Sequence, residues 1–444
     1  MTISRTICLG FLALLAIGTI LLTLPFSTSD GTWSDPVTAL FTTTSCVCVT
    51  GLSVVDVGKF YSFWGQLIMV CLVQVGGLGY MTATTVLILL VGRRLGLRDK
   101  LAVQQSLDQP GLAGAGDLVR SIIAMIVIIE ITGIFLLLPA FVPDFGFSRG
   151  LWLSIFHSIN AFNNAGFSLF SNNLINYVNS PLVNFVISIL IILGGIGYQV
   201  IMEVFLWVRD RIQKNSTCNV FSLNFKVVTS TTIFLLIVGT IGFFLTEFNN
   251  PGTFAPLSFG NKLMAAWFQS VVPRTAGFNT VDYGKMTNAG LWLTIALMFM
   301  GASPGSTGGG IKTTTVRILF NCTKAVLQGK EEVLAYQRQI PPALILKAVA
   351  VQVGSMLVVI IATVLIALFE KNIGFIDILL EVVSAFATVG LSTGITAKLS
   401  LFPELVIITT MYIGRVGILL LMSAILGDPK PSAIRYPEEN LLVG

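Results

Sequence analysis

The sequence is poor in charged residues. Only 11% of its 444 residues are Asp, Glu, Lys or Arg, whereas 54% are hydrophobic. In soluble domains about a quarter of the residues are charged. The composition therefore excludes an ordinary soluble protein and indicates an integral membrane protein embedded in a lipid bilayer.

Residues that catalyse reactions or hold metals are also scarce. His157 is the only histidine, and in a short apolar helix we expect it to fill space. No paired carboxylates and no nucleophile elbow are visible, so we expect neither an enzyme nor a covalently bound cofactor. The six cysteines lack the spacing of a disulfide framework or a zinc site; they are Cys8, Cys46, Cys48, Cys71, Cys218 and Cys322.

Eight apolar runs are long enough to cross a bilayer, which takes about 20 helical residues. The runs form four consecutive pairs. Between the two runs of each pair lies a shorter apolar segment, which at ~1.5 Å per residue reaches only about half of the bilayer. Such a segment must enter and leave the membrane on one side. The eight runs are residues 5–25, 62–91, 118–142, 181–208, 226–247, 289–320, 343–369 and 401–426.

The four short segments repeat one pattern, an apolar helix that ends in Gly, then Leu or Phe, then Ser or Asn. Their glycines, here called the repeat glycines, are Gly51, Gly166, Gly277 and Gly390, and lie 115, 111 and 113 residues apart. A near-constant period is typical of tandem repeats. We predict one membrane domain made of four repeats, at residues 1–95, 96–212, 213–330 and 331–444.

The predicted fold is an all-α membrane protein. Each repeat consists of a helix, a re-entrant pore loop and a second helix, and the eight transmembrane spans surround one pseudo-fourfold pore. The second spans carry small-residue breaks, for example at Gly77 and Gly195, which we expect to serve close helix packing.

Most basic residues fall on one side of this eight-span topology. By the positive-inside rule that side is cytoplasmic, so we expect both termini in the cytoplasm of a multi-pass plasma (inner) membrane protein, with the short helices entering from outside. This distribution explains the net charge of +5 without a nucleic-acid partner. The residues concerned are Arg5, Arg93, Arg94, Arg98, Lys100, Arg209, Arg211, Lys214, Lys226, Arg317, Lys324, Lys330, Arg338, Lys347, Lys430 and Arg435.

Four re-entrant helices around an axis are suited to binding a cation. Their carboxyl ends carry partial negative charge, glycine permits the positive φ that turns carbonyls towards the axis, and rings of carbonyls replace the water around a dehydrated ion. We predict a selectivity filter formed by Val49, Thr50, Gly51, Asn164, Ala165, Gly166, Thr275, Ala276, Gly277, Thr388, Val389 and Gly390.

The second span of repeat 3 is interrupted by residues 301–315, which hold five glycines and a proline. Non-helical backbone at membrane depth is tolerated only where protein buries it or water lines it. The segment is not a nucleotide-binding Walker A loop, because Ile311 separates Gly310 from Lys312.

Arg415 stands in repeat 4 at the place of Gly77 and Gly195, and a cation in the path of cations raises an electrostatic barrier. We predict a gate beneath the filter; the alternative is that Arg415 only ties helices together through backbone carbonyls. The gate residues are Gly301, Ser303, Pro304, Gly305, Ser306, Thr307, Gly308, Gly309, Gly310, Lys312 and Arg415.

Glu130 lies near the middle of a predicted span. A bare charge is expensive at that depth and is usually paired or functional. We expect Lys312 or Arg415 to be its partner.

These residues resemble a known family over nearly the full length of the chain. One glycine per pore loop, the broken third-repeat helix and Arg415 are similar to the membrane subunit of Ktr-type potassium uptake systems, within the Trk/Ktr/HKT superfamily. The resemblance implies transport of potassium, often in a sodium-dependent way and with sodium as a second candidate ion. It also implies a homodimer gated by a separate cytoplasmic ring of nucleotide-binding regulatory subunits.

Two other classes stay open. A secondary carrier coupled to protons or sodium predicts inverted repeats, whereas these repeats share one orientation. A membrane scaffold in a larger sodium-translocating pump would carry no ion flux of its own.

Overall fold

The computed structural model describes residues 3–79, 115–213 and 221–427, and these ranges are mostly helical. Several residues used in the predictions lie outside them. These are Arg93, Arg94, Arg98, Lys100, Lys214, Cys218, Lys430 and Arg435.

The first span of each repeat is one continuous helix. Each of the four is apolar and long enough to cross a membrane, and their apolar side chains are widely exposed, as expected for a lipid-facing layer. The helices are Ile3–Thr23, Ala115–Phe145, Leu223–Glu247 and Pro342–Phe369.

The short helix of each repeat, here called the pore helix, lies at the centre of the molecule. These helices contain 12, 16, 13 and 12 residues, so none crosses the membrane alone. Their last turns are buried on all sides. The pore helices are Pro36–Val47, Phe147–Phe162, Phe259–Val271 and Phe375–Phe386.

The second spans are not straight helices where the structure describes them completely. Pro181–Ile196 meets Tyr198–Ile212 at an angle of 103°, and Leu401–Val416 meets Ile418–Leu426 at 94°. The glycine at each bend has a positive φ, 93° at Gly197 and 84° at Gly417, which ends the helical ladder. The apolar runs 181–208 and 401–426 predicted one span each, and sequence analysis missed these sharp turns.

The other two second spans also end early. In repeat 1, Phe63–Leu78 is followed by Gly79 with a φ of 78°, beyond which the described range stops. In repeat 3, Asn288–Phe299 and Thr313–Leu327 are separated by residues 300–312, here called the repeat-3 loop.

Short elements complete the fold. A two-stranded antiparallel hairpin pairs Leu334–Ala335 with Arg338–Gln339. The single-turn helices are Pro25–Ser27, Val57–Phe60, Ile175–Tyr177, Tyr283–Lys285 and Thr396–Lys398.

Carboxylates tie first spans to second spans in two repeats. Glu247, at the end of a first span, accepts hydrogen bonds from the backbone and hydroxyl of Thr287, which begins the next span. Glu370 accepts the same pair of bonds from Ser400. These bonds satisfy amide groups that helix starts leave without partners, and they fix the spacing of the two spans around the pore helix.

The first and last repeats are in contact. Tyr412 donates a hydrogen bond of 2.9 Å to the carbonyl of Cys8, and the hydroxyls of Ser4 and Ser423 lie 3.0 Å apart. The four repeats therefore form a closed arrangement around the pore helices.

Candidate functional site

The four pore loops share one backbone conformation. Two residues before each repeat glycine, a residue that is not glycine has a positive φ: 58° at Val49, 58° at Asn164, 67° at Thr275 and 51° at Thr388. Positive φ is unusual for a β-branched residue, and such strain persists only where the surroundings impose it, often at functional sites. The repeat glycines also have a positive φ, at 96°, 53°, 70° and 96° in chain order.

The repeat glycines form a closed ring, each lying against the next repeat. A Cβ added to Gly51 would lie 2.9 Å from the Cα of Gly166, and one added to Gly166 would lie 2.8 Å from the Cα of Gly277. From Gly277 to Gly390, and from Gly390 back to Gly51, the distance is 3.1 Å. No side chain fits at these positions, so the ring requires glycine.

Backbone carbonyls crowd this ring. In each case the added Cβ would also meet the carbonyl oxygen that precedes the next glycine, in chain order those of Ala165, Ala276, Val389 and Thr50. The structure thus brings together the twelve residues of the predicted filter, and the eight that precede the glycines are fully buried.

Two serines that sequence analysis missed hold the ring in repeats 1 and 4. Ser45 and Ser384 each accept a hydrogen bond of 3.0 Å from the amide of the repeat glycine six residues later. Equal spacing from the glycine is the signal that would have found them. In repeat 2 the hydrogen bond beside the repeat glycine is instead a local backbone turn, in which the amide of Phe167 donates to the carbonyl of Ala165 at 2.6 Å.

An open cavity of about 270 Å³ lies on one side of the ring. It is lined by three repeat glycines and by the residues that follow them, which are rich in hydroxyl and amide groups. The side chains of Ser53, Asp56, Ser168, Asn173, Asn279, Ser392 and Thr396 belong to this lining.

The repeat-3 loop lies on the opposite side of the ring. The amide of Gly309 donates a 3.1 Å hydrogen bond to the hydroxyl of Thr388, and a Cβ on Gly308 would meet the hydroxyl of Thr275. Both threonines belong to pore loops, so the loop directly contacts the ring.

Repeat 2 holds the same loop at several points. Thr307 bonds the carbonyls of Phe162 and Gly194 through its hydroxyl, at 3.3 and 3.2 Å. The amide of Ser303 donates to Gly195 at 3.0 Å, and the amide of Tyr198 donates to Gly305 at 3.1 Å. The loop is therefore held more firmly than the lack of a helical ladder suggests.

Arg415 reaches this loop from repeat 4. Its guanidinium donates hydrogen bonds to the carbonyl of Thr307 in the loop and to the carbonyls of Gly76 and Gly77 in repeat 1. Lys312 donates a 2.8 Å bond to the carbonyl of Gly308. All the predicted gate residues lie in or against the loop, and Arg415 ties it to repeats 1 and 4.

The predicted ion pair of Glu130 is wrong. Its buried carboxylate accepts a 3.1 Å hydrogen bond from the side-chain amide of Asn163, which also donates to the amide oxygen of Gln74 at 2.8 Å. Within the described ranges, no basic side chain forms an ion pair with Glu130, because Arg415 and Lys312 are directed at backbone carbonyls. The carboxylate is therefore stabilised by a neutral amide and not by a cation.

The fold and the site together define a class, a helical membrane protein whose four re-entrant pore loops surround one axis. The profile of the family TrkH, described as a cation transport protein, matches residues 7–431. The chain belongs to the TrkH family of cation transport proteins.

Characterised relatives match the chain along its whole length. It is 39% identical to Ktr system potassium uptake protein B of Bacillus subtilis, over 99% of this chain and 96% of that protein. It is 40% identical to the protein of the same name from Vibrio alginolyticus, over 99% and 94% of the two chains.

A solved structure shares the fold. The crystal structure of the potassium transporter TrkH from Vibrio parahaemolyticus aligns with a TM-score of 0.71 at 18% identity, covering 95% of this chain and 85% of that one. At this identity the likeness supports the architecture alone.

Proposed function

We propose that the chain takes up potassium through the ring of pore loops, which acts as its selectivity filter. The closed ring of glycines and carbonyls carries this proposal, and the two relatives named for potassium uptake support it. The proposed filter residues are Val49, Thr50, Gly51, Asn164, Ala165, Gly166, Thr275, Ala276, Gly277, Thr388, Val389 and Gly390.

The chemistry of the ring suits a dehydrated monovalent cation. Four pore helices end at the ring, and helix carboxyl ends carry partial negative charge. The carbonyls beside the repeat glycines are neutral oxygen ligands, the kind that replace an ion's hydration shell in potassium filters. A glycine in all four positions, with serine in none, favours potassium over sodium within the family that the chain resembles.

We also propose that the repeat-3 loop and Arg415 form the gate. The loop lies against Thr275 and Thr388 at the end of the ring opposite the open cavity, where it obstructs the axis. Arg415 holds it there and adds a positive charge close to the ion path. A barrier of this kind would be lowered by breaking the contacts of Arg415.

The remaining parts of the proposal rest on the resemblance and on charge distribution. The chain acts in the plasma membrane as a homodimer with both termini in the cytoplasm. A separate ring of nucleotide-binding subunits on the cytoplasmic side controls the gate, and sodium stimulates transport. The open cavity then faces the outside, where it collects the incoming ion.

Uptake measurements test this function. In a strain deficient in potassium uptake, we expect the chain and its regulatory subunit to restore growth at low potassium, and to do so better with sodium present. In vesicles, Gly277→Ser is expected to weaken the preference for potassium over sodium, because a side chain at Gly277 meets the carbonyl of Val389 and displaces a ligand.

Gly260→Ser is the matched control, since a Cβ at Gly260 in the same repeat has nothing within 4 Å. Both variants must insert in the membrane in amounts equal to the wild type. Unchanged selectivity in Gly277→Ser would overturn the filter assignment. Absence of any ion flux through the wild-type chain reconstituted with its regulatory subunit would instead favour a scaffold role.

A further inference from the structure

Two pore helices carry an ionisable side chain at the same position. His157 and Glu381 each stand nine residues before a repeat glycine, and both are buried, with exposures of 0% and 1%. Repeat 3 has Phe268 at this position, also fully buried. Because an apolar residue fits there, packing of the fold does not require an ionisable group.

The hydrogen bonds of His157 fix its tautomer. Nδ1 lies 2.8 Å from the carbonyl of Leu153, which only accepts, so Nδ1 carries the proton. Phenylalanine rings surround the imidazole, and in these apolar surroundings it is neutral. Nε2 is then an acceptor, and the hydroxyl of Ser168 donates to it at 3.0 Å.

Glu381 is linked to its serine through one further hydroxyl. Thr396 donates a 2.5 Å hydrogen bond to Oε1 of Glu381. The hydroxyls of Thr396 and Ser392 lie 3.0 Å apart, so Glu381 is linked to Ser392 through Thr396. Oε2 has no protein partner in the described part of the chain, so burial of this carboxyl is costly and calls for an explanation.

Both networks end at equivalent serines. Ser168 and Ser392 each follow a repeat glycine by two residues. Each serine also accepts a bond from the amide two residues further on, Phe170 to Ser168 at 3.1 Å and Gly394 to Ser392 at 3.0 Å. The pore helix is thus linked through a side chain to the segment that follows the repeat glycine on the side of the open cavity.

We propose that His157 and Glu381 are positioning residues for ion selectivity, which hold the outer ends of two pore loops through Ser168 and Ser392. This inference rests on the proposed filter. The link from His157 to Ser168 and the link from Glu381 to Ser392 are here called the clamps. Repeats 2 and 4 are not adjacent in the ring, so the two clamps lie across the axis from each other. Fixing opposite loops sets the width of the ring at its outer end, whereas a single clamp would leave the facing loop free.

Repeat 1 provides a matched control. Ser53 occupies the same place after Gly51 and makes the same local turn, with bonds to the amide and carbonyl of Val55 at 3.3 and 2.7 Å. Within the described residues its hydroxyl has no bond to the pore helix. Ser53→Ala therefore removes the turn hydroxyl without removing a clamp.

The test compares serine variants in vesicles, with competition between potassium and sodium as the readout. Removing one hydrogen bond is expected to lower the potassium preference about threefold in Ser168→Ala and in Ser392→Ala, and about tenfold in the double variant. Ser53→Ala also removes a hydroxyl from the cavity lining, and it is expected to lower the potassium preference less than either Ser168→Ala or Ser392→Ala does. Ser168→Thr and Ser392→Thr keep the hydroxyl and are expected to retain selectivity.

A double-mutant cycle separates positioning from general damage. If Glu381 acts through Ser392, Glu381→Leu lowers selectivity as Ser392→Ala does, and the two changes together add little more. Glu381→Gln keeps an acceptor for Thr396 and is expected to stay close to the wild type. These serines are only half-buried, so the serine variants remain informative even if Glu381→Leu fails to fold.

Two results would overturn the inference. One is equal selectivity in Ser53→Ala, Ser168→Ala and Ser392→Ala, and the other is full additivity of Glu381→Leu with Ser392→Ala. If Gly277→Ser changes selectivity while the serine variants do not, this inference fails and the filter stands. If Gly277→Ser also has no effect, the filter assignment itself fails.

Discussion

The second span of repeat 3 differs from the other three where the spans meet the pore helices. In repeats 1, 2 and 4 a span glycine lies directly against the last turn of its own pore helix, so close that a Cβ would meet a backbone carbonyl. The pairs are Gly76 with Val47, Gly194 with Phe162, and Gly414 with Phe386. In repeat 3 the helix stops at Phe299, and the glycines of the repeat-3 loop contact the pore loops instead.

This difference distinguishes three rigidly packed second spans from one segment, the repeat-3 loop, that can rearrange. Three spans fill the space beside the ring by close helix packing, which leaves no alternative arrangement. The repeat-3 loop packs its glycines against the pore loops without a helical ladder, and hydrogen bonds such as Gly309 to Thr388 and Arg415 to Thr307 hold it there. Bonds of this kind can be exchanged for bonds to water without unwinding a helix. Movement is therefore expected in repeat 3 and rigidity in the other three repeats.

Disrupting the repeat-3 loop should have the largest effect on transport. Deleting several residues between Ser303 and Gly310, or making Arg415→Ala, is expected to raise ion flux and to reduce its dependence on the regulatory subunit. A rise of about tenfold corresponds to a barrier lowered by ~1.4 kcal/mol. Flux into vesicles, measured with and without the regulatory subunit, checks this prediction.

Arg415→Lys distinguishes charge from tethering. Lysine keeps the positive charge but loses the planar fork that contacts Thr307 and Gly76 together. Flux as low as the wild type in this variant would assign the barrier to charge, and flux as high as in Arg415→Ala would assign it to the tether. Lower flux in Arg415→Ala, with the protein folded and inserted, would show that Arg415 has only a structural role.

Disrupting the close packing of the other second spans should lower the stability of the protein before it alters gating. In Gly414→Ala the added methyl group would lie 2.7 Å from the carbonyl carbon of Phe386, and overpacking of this kind costs about 1–3 kcal/mol. We expect a lower thermal unfolding midpoint in detergent, with unchanged dependence on the regulatory subunit. Gly260→Ala, which has open space, serves as the control; an equal midpoint in the two variants would contradict the packing argument.

The smallest effect is expected at the bends of the second spans. Gly417 has a φ of 84° and nothing within 4 Å of an added Cβ, so Gly417→Ala costs only backbone strain, about 1 kcal/mol. At Gly197 the added Cβ would also lie 2.5 Å from the carbonyl of Pro304 in the repeat-3 loop. Gly197→Ala should therefore change flux and Gly417→Ala should not; a similar effect in both would mean that the bends themselves control transport.

Much of the architecture could be predicted because it repeats. A single Gly51 means little among 42 glycines, but the same pattern at a near-constant period pointed to the four pore loops. The broken span of repeat 3 was equally visible, since five glycines and Pro304 exclude a helix. TrkH family membership agrees with the resemblance that these residues carried.

The rest depended on contacts that a single sequence does not display. The bends at Gly197 and Gly417 look like ordinary packing glycines, because only the backbone φ distinguishes them. The partner of Glu130 is Asn163, and neutral amides near a carboxylate leave no charge pattern to detect. His157 and Glu381 stand at the same spacing before their repeat glycines, but the hydrogen bonds that link them to Ser168 and, through Thr396, to Ser392 are visible only in the structure.

The contact between Gly390 and Thr50 also bears on the synthesis of the protein. Thr50 leaves the ribosome early, whereas Gly390, which closes the ring against it, is made near the end of the chain. Until repeat 4 enters the membrane, the strained backbone at Val49 lacks one of the neighbours that hold it. A partly translated chain therefore contains no complete ring, and the ring can close only after repeat 4 has entered the membrane.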